Sequence, residues 1–256
     1  MRIRWQSFID PSRHRQYFDL LDAQLQTCFG EDTRHEIVGI DPPDMMLHRL
    51  TETRCGMRAV ANAVAAEAEG CDAFLIGRFQ VSGLYEARSA VDIPVLGLGE
   101  TSMLHACTLG QRIGLVTISP AFIAWHQEQI VRYGLRERVI GVTAMTGLVV
   151  EDYVSACEDE IAFAKVFEQF ESAVQPLIAA GAEVLIPAGG LPALVLSRRP
   201  GLTVDGAAVL NPVPVLAKHG EAAVALERLG LPIASRRGAF ALASEPCRDE
   251  FLAALS

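Results

Sequence analysis

Gly70-Cys-Asp-Ala-Phe-Leu-Ile76 and Gly181-Ala-Glu-Val-Leu-Ile-Pro187 are two versions of one phrase, 111 residues apart. Each carries a short apolar run of strand length and ends in a Gly-containing loop, Gly77-Arg78 in the first and Ala188-Gly189-Gly190 in the second. A second pair of anchors, Arg2-Ile3 and Arg112-Ile113, recurs at a spacing of 110. Both of those runs lead into a Pro-bearing turn, Asp10-Pro11 and Ser119-Pro120. Two independent anchors with nearly the same offset indicate an internal repeat.

The rest of the chain fits around these anchors. Aliphatic or β-branched runs at Arg2–Phe8, His35–Ile40, Ala73–Ile76, Pro94–Leu98, Ile113–Ile118, Arg138–Val142, Val184–Ile186 and Ala207–Leu210 read as strands. Stretches with helical spacing, such as Met57–Glu69 and Ile161–Ala180, lie between most of them. Alternation of this kind predicts an α/β fold with parallel sheets covered by helices on both faces. The repeat divides it into two similar lobes, 1–110 and 111–220, with 221–256 completing the first.

In open parallel sheets, ligands sit beyond the carboxyl ends of the strands, where loops and helix N-termini converge. Two related lobes place those ends face to face across a cleft. The expected lining is therefore Gln6–Pro11, Gly77–Gly83, Leu98–Ser102, Thr117–Pro120, Ala188–Leu191 and Asn211–Pro214.

Composition narrows the classes of function. The chain has 256 residues, half of them apolar, and carries 22 Lys+Arg against 31 Asp+Glu for a net charge of −9. A chain this long can bury roughly 75% of its unfolded surface and needs no disulfide or metal staple. The acidic balance and the absence of any basic run argue against a nucleic-acid partner. No apolar run approaches a membrane span, and the N-terminus has no apolar core of a signal peptide, so a cytoplasmic protein is expected. The six cysteines, at 28, 55, 71, 107, 157 and 247, form no C-x-x-C pair and no zinc-finger spacing with histidine. No H-x-H, H-E-x-x-H or D-x-D cluster suggests a metal. Gly97-Leu-Gly99-Glu-Thr-Ser102 lacks the last glycine of a dinucleotide loop and lies outside the first βαβ unit.

The phrases Gly70–Gly77, Gly83-Leu-Tyr-Glu-Ala-Arg88, Val91–Glu100, Arg112–Thr117, Gly181–Ile186 and Ser235–Phe240 together resemble the Asp/Glu racemase superfamily, most nearly its hydantoin racemase branch. The opening Gln6-Ser-Phe-Ile-Asp-Pro11 departs from the Asn-Pro-Asn-Thr-type loop of that branch. The resemblance implies a cofactor-independent enzyme on a small carboxylate or cyclic amide, commonly assembled as a homo-oligomer. It also implies two cysteines facing the substrate carbon from opposite lobes, one removing a proton and the other returning one. In this sequence the first falls on Arg78, and the second falls on Ala188 or Gly189, depending on the anchor chosen. Two-thiol racemisation is therefore not expected; decarboxylation, hydrolysis, elimination or isomerisation remain. The alternative is a non-catalytic protein that binds a small carboxylate.

Arg78, with Phe79 beside it, is the sharpest candidate. A guanidinium at the end of a core strand suits a substrate carboxylate; the structural alternative is an ion pair with Glu86 or Glu100. Ala188, Gly189 and Gly190 offer backbone donors for an oxyanion, or form an ordinary turn. Ser7, Thr117 and Ser119 stand at matching strand ends, to bind a carboxylate or to cap the following helices. Glu100, at the start of a helix, is either a general base or a charge complementing the helix dipole. His219 is a second candidate base by residue type, with a solvated surface histidine as the alternative.

Overall fold

The computed structural model describes residues 1–44 and 46–255. The first lobe contains β1 (Arg2–Gln6), α1 (Arg15–Cys28), β2 (Arg34–Val38), α2 (Arg49–Ala68), β3 (Ala73–Ile76), α3 (Leu84–Ala90), β4 (Val95–Gly97) and α4 (Leu98–Ala106). The second contains β5 (Ile113–Thr117), α5 (Ala121–Arg132), β6 (Val139–Ala144), α6 (Val150–Ser155), α7 (Glu160–Ala179), β7 (Val184–Pro187), α8 (Gly190–Leu196), β8 (Thr203–Val204) and β9 (Ala207–Val209). α9 (Pro212–Arg228) and α10 (Glu245–Ala253) follow. The strands form two sheets, ordered β2-β1-β3-β4 and β6-β5-β7-β9-β8, parallel throughout except for the β8–β9 pair.

The central strands explain why the repeated phrases decide the fold. Every residue of β3, β5 and β7 is buried, the pattern of parallel strands covered on both faces. β3 sends Ala73 and Leu75 to one face and Phe74 and Ile76 to the other, each face with its own apolar core. The inner core runs on through Leu98 and Met103 to Leu115, Val116 and Leu185, so the lobes share it. α9, capped by Asn211, whose side chain accepts from Val213 N at 3.0 Å, packs against α1, α4, β3 and β4 of the first lobe.

Strand register carries the repeat into space. Ile3 pairs with Ala73 as Ile113 pairs with Val184. Gly77 N donates to Gln6 O at 2.9 Å, and Ala188 N donates to Val116 O at 2.7 Å. Gly77 and Ala188 are thus equivalent, which makes Arg78 the counterpart of Gly189. These two strand ends also touch. A Cβ on Gly190 would lie 2.6 Å from the Gly77 carbonyl oxygen, so only glycine permits the contact there.

Among the described residues, no helix is long and apolar enough to cross a membrane.

Candidate functional site

Where the strand ends meet, Phe8, Ile9, Tyr17, Asp44, Leu47, the 77–80 loop, Ile118, Phe122, Val150 and the 188–192 turn enclose a cavity of about 70 Å³. That is room for roughly five water-sized groups. It shares Leu47, Ile118 and Val150 with a wider pocket of about 490 Å³, lined by Ser119, Pro120 and residues 145–151.

Arg78 dominates the small cavity. Its side chain is 12% exposed and is held by two carboxylates of its own chain. Nε donates to Glu52 Oε1 at 2.9 Å, and Nη2 donates to both Glu52 Oε2 and Asp44 Oδ2. The guanidinium carbon lies 5.1 Å from the centre of the Phe8 ring and 6.0 Å from that of Phe122, placing the cation over aromatic faces. Burial works against its charge, but Glu52 and Asp44 outweigh that effect and raise its pKa. The partners are these two residues, neither Glu86 nor Glu100, and they already fill two edges of the fork. Nη1 donates to no described residue. With both carboxylates ionised, the triad carries one net negative charge.

Phe79 is fully buried and its ring meets His126 edge-on at 5.2 Å. Its carbonyl accepts from Gln129 Nε2 at 2.7 Å, leaving Gln129 Oε1 to accept from His126 Nδ1 at 2.8 Å. This fixes the tautomer: Nε2 carries the lone pair and accepts from the Thr117 hydroxyl at 3.2 Å. Burial lowers the His126 pKa to about 4, so the ring is neutral. Thr117 is thereby committed to the core and does not line the cavity.

Ser7 is also fully buried. It donates to the Tyr17 hydroxyl at 3.3 Å, and it is Tyr17 that lines the cavity. Ser119 accepts from Ala121 N at 3.3 Å in the turn before α5, and its wall belongs to the wider pocket. Ala188, Gly189 and Gly190 do line the cavity. The Gly189 N–H, however, turns back on the Pro187 carbonyl at 2.9 Å and is not free for an oxyanion.

Glu100 lies elsewhere. Arg88 holds both of its oxygens, and Glu100 is not among the cavity residues. A base at Glu100 therefore does not face Arg78. His219 is partly exposed, 3.3 Å from His105, and partial desolvation together with that neighbour lowers its pKa.

Three residues of this site carry no local signal in the sequence. Tyr17 sits on the buried stripe of α1 with Leu21 and Leu25, and reads there as a core residue. Glu52, in the first turn of α2, reads as a dipole complement. Asp44 follows a Pro-Pro turn that reads as a loop. Only the tertiary fold brings the last two to Arg78.

Cysteine, serine, threonine and histidine are all missing from the described cavity lining. Cys55, near the triad, is buried, and desolvation raises its pKa to about 11. Cys71 is likewise at about 11, raised by burial and by its bond to Glu36.

Two α/β lobes with a cavity between their matching strand ends define a two-lobed α/β protein. Residues 9–220 match the model of the Asp/Glu/hydantoin racemase family, and the chain belongs to that family. A hydantoin racemase from Pseudomonas sp. (strain NS671) is 36% identical over 76 residues, 30% of this chain and 30% of that protein. A hydantoin racemase from Rhizobium meliloti is 29% identical over 79 residues, 31% of this chain and 33% of that protein. The aligned stretch thus spans about a third of these curated relatives. An allantoin racemase from Klebsiella pneumoniae superposes with a TM-score of 0.78 at 19% identity, covering 96% of this chain and 94% of its own. One from Pseudomonas fluorescens gives 0.73 at 20% identity, with 95% and 97% covered. At these identities the likeness is one of fold.

Proposed function

We propose that this chain takes a small, uncharged cyclic amide into the interlobe cavity and acts on it from one face, without a cofactor. One observation carries this reading. Among the described residues, every polar residue bordering the cavity, namely Tyr17, Asp44, Arg78 and Gln80, belongs to the first lobe. The second lobe offers Ile118, Phe122, Val150 and the 188–192 turn. Inverting a carbon centre through a planar carbanion needs an acid–base group on each face. Here the position equivalent to Arg78 is Gly189, which has no side chain.

Charge and size support an uncharged ring over a carboxylate. A monoanion entering beside a triad of net charge −1 meets repulsion in a poorly screened site. A space of roughly five waters takes most of a five-membered ring, and the remainder, with any ring substituent, can extend into the wider pocket. The hydantoin and allantoin racemases among the relatives are named for rings of this type. Arg78 Nη1 would meet a ring carbonyl and stabilise charge that develops on it. The Tyr17 hydroxyl, its pKa pushed up to about 12 by burial, would serve as a proton donor.

A second reading is a binder without turnover. It is favoured by the completeness with which Asp44 and Glu52 engage Arg78, which leaves no free general base. Proton NMR in D2O separates the two, using a panel of 5-substituted hydantoins, related cyclic imides, amino acids, malonates and maleate. New product peaks from a cyclic amide support the enzyme reading. Saturable line broadening of cyclic amides with no new compound supports the binder. A response confined to carboxylates contradicts the choice of ligand class.

A further inference from the structure

Asp44 is the one acid among the described residues bordering the cavity, and its position is that of a ligand's carboxylate rather than of a solvated loop residue. Its side chain has no exposed surface. Oδ2 accepts from Arg78 Nη2, Oδ1 accepts from Leu47 N at 3.3 Å, and its own N–H donates to Phe8 O at 3.3 Å. Glu52 alone engages both Nε and Nη2 of Arg78, so the cation is paired before Asp44 arrives. Asp44 is therefore surplus to neutrality, and its carboxylate lies just behind the cavity wall, within electrostatic reach of a ligand there.

We propose that Asp44 is the charge-selecting residue of the cavity: it occupies the anion seat on Arg78 and turns away ligands that carry a carboxylate. The proposal rests on the reading of this cavity as the ligand seat. A carboxylate approaching Nη1, the free edge of the fork, has Asp44 as its neighbour. At an effective dielectric near 20, a like charge roughly 6 Å away weakens binding by about a hundredfold. Neutralising Asp44 removes that charge and leaves Arg78 balanced by Glu52 alone.

The test uses two probes that differ in charge but share a skeleton: hydantoin, and N-carbamoylglycine, its ring-opened carboxylate. Their dissociation constants are measured by titration calorimetry or NMR at pH 7 for the wild-type chain, Asp44→Asn and Glu52→Gln. Asp44→Asn is expected to bind N-carbamoylglycine up to about a hundredfold more tightly than wild type, a gain well above any change in its affinity for hydantoin. Glu52 borders a separate pocket on the other side of Arg78, with Arg49, Trp125 and Arg132, so Glu52→Gln gives a smaller gain of the same sign. A folded Asp44→Asn with no gain for the anion overturns the proposal. If that variant does not fold, absence of any gain in Glu52→Gln overturns it. If wild type ignores hydantoin while Asp44→Asn gains the anion, the ligand class proposed above falls and the role of Asp44 stands.

Discussion

Replacing Arg78 by methionine tests the electrostatics of the site most sharply. Methionine keeps an unbranched apolar stem against Phe8 and Phe122 but removes the cation. Asp44, with a fully buried side chain, and Glu52, with one 11% exposed, then face each other unpaired. Removing one member of a buried ion pair costs about 3–5 kcal/mol, because the partner's charge stays behind in a poor solvent. Residual exposure of Glu52 and Arg78 favours the lower end, about 3 kcal/mol. At about 2–4 °C per kcal/mol for a chain of this size, the melting temperature drops by about 10 °C. Urea denaturation at pH 7.5 reads the same quantity as a free energy. The triple variant Arg78→Met, Asp44→Asn, Glu52→Gln has no orphaned charge and is expected to recover most of the loss, since neutral replacement of a whole buried ion group is often close to neutral in stability. A single variant within 1 kcal/mol of wild type, or a triple variant no better than the single, would refute the reasoning and return Arg78 to a role toward a ligand alone.

His126 gives a pH dependence with a defined sign. Its folded pKa of about 4 lies below the usual value of 6.5, so the unfolded chain takes up the proton first. Stability is fully present above pH 6.5 and drains away as pH falls toward 4, by on the order of 3 kcal/mol in all; His126→Asn should flatten that limb in denaturation series at pH 4.5, 5.5 and 7. Alkylation with iodoacetamide should modify exposed Cys247 first and leave ligand binding intact, because burial raises Cys55 and Cys71 to about 11 and Cys157 to about 12; loss of binding in step with labelling of any buried thiol would contradict the thiol-free site. Gly190→Ala forces a Cβ toward the Gly77 carbonyl and should cost about 1–3 kcal/mol by overpacking, read by thermal melts; an unchanged melting temperature would mean that the two strand ends are not in contact.

The two lobes were readable because the central strands are unbroken apolar runs and recur at offsets of 110 and 111, which the sheet registers reproduce at Ile3, Ile113, Ala73 and Val184. The short antiparallel β8–β9 pair was less visible, since Thr203-Val204 is too brief to show a period. Strand ends were readable as places only in part: Arg78, Phe79 and residues 188–190 line one cavity, whereas Leu98–Ser102 and Asn211–Pro214 do not border it. What each side chain does there was not readable. Thr117 depends on His126 and Gln129, one helix away. Arg78 depends on Glu52 and Asp44, 26 and 34 residues upstream. Glu100 pairs with Arg88 because α3 packs beside β4, which leads directly into α4. Sequence spacing encodes which strand end a residue occupies, and tertiary packing decides which neighbour reaches it first.

The most direct test of a one-faced, thiol-free cavity is stereochemical. A single enantiomer of 5-methylhydantoin is incubated in D2O with the protein and, in parallel, without it. Chiral chromatography follows inversion, proton NMR follows deuterium at C5, and titration reads binding. The expected result is saturable binding with inversion no faster than in the protein-free control. Inversion accelerated by the protein, with deuterium entering C5 of the opposite enantiomer, would contradict the account, because it requires a proton donor on the face that Gly189 leaves empty.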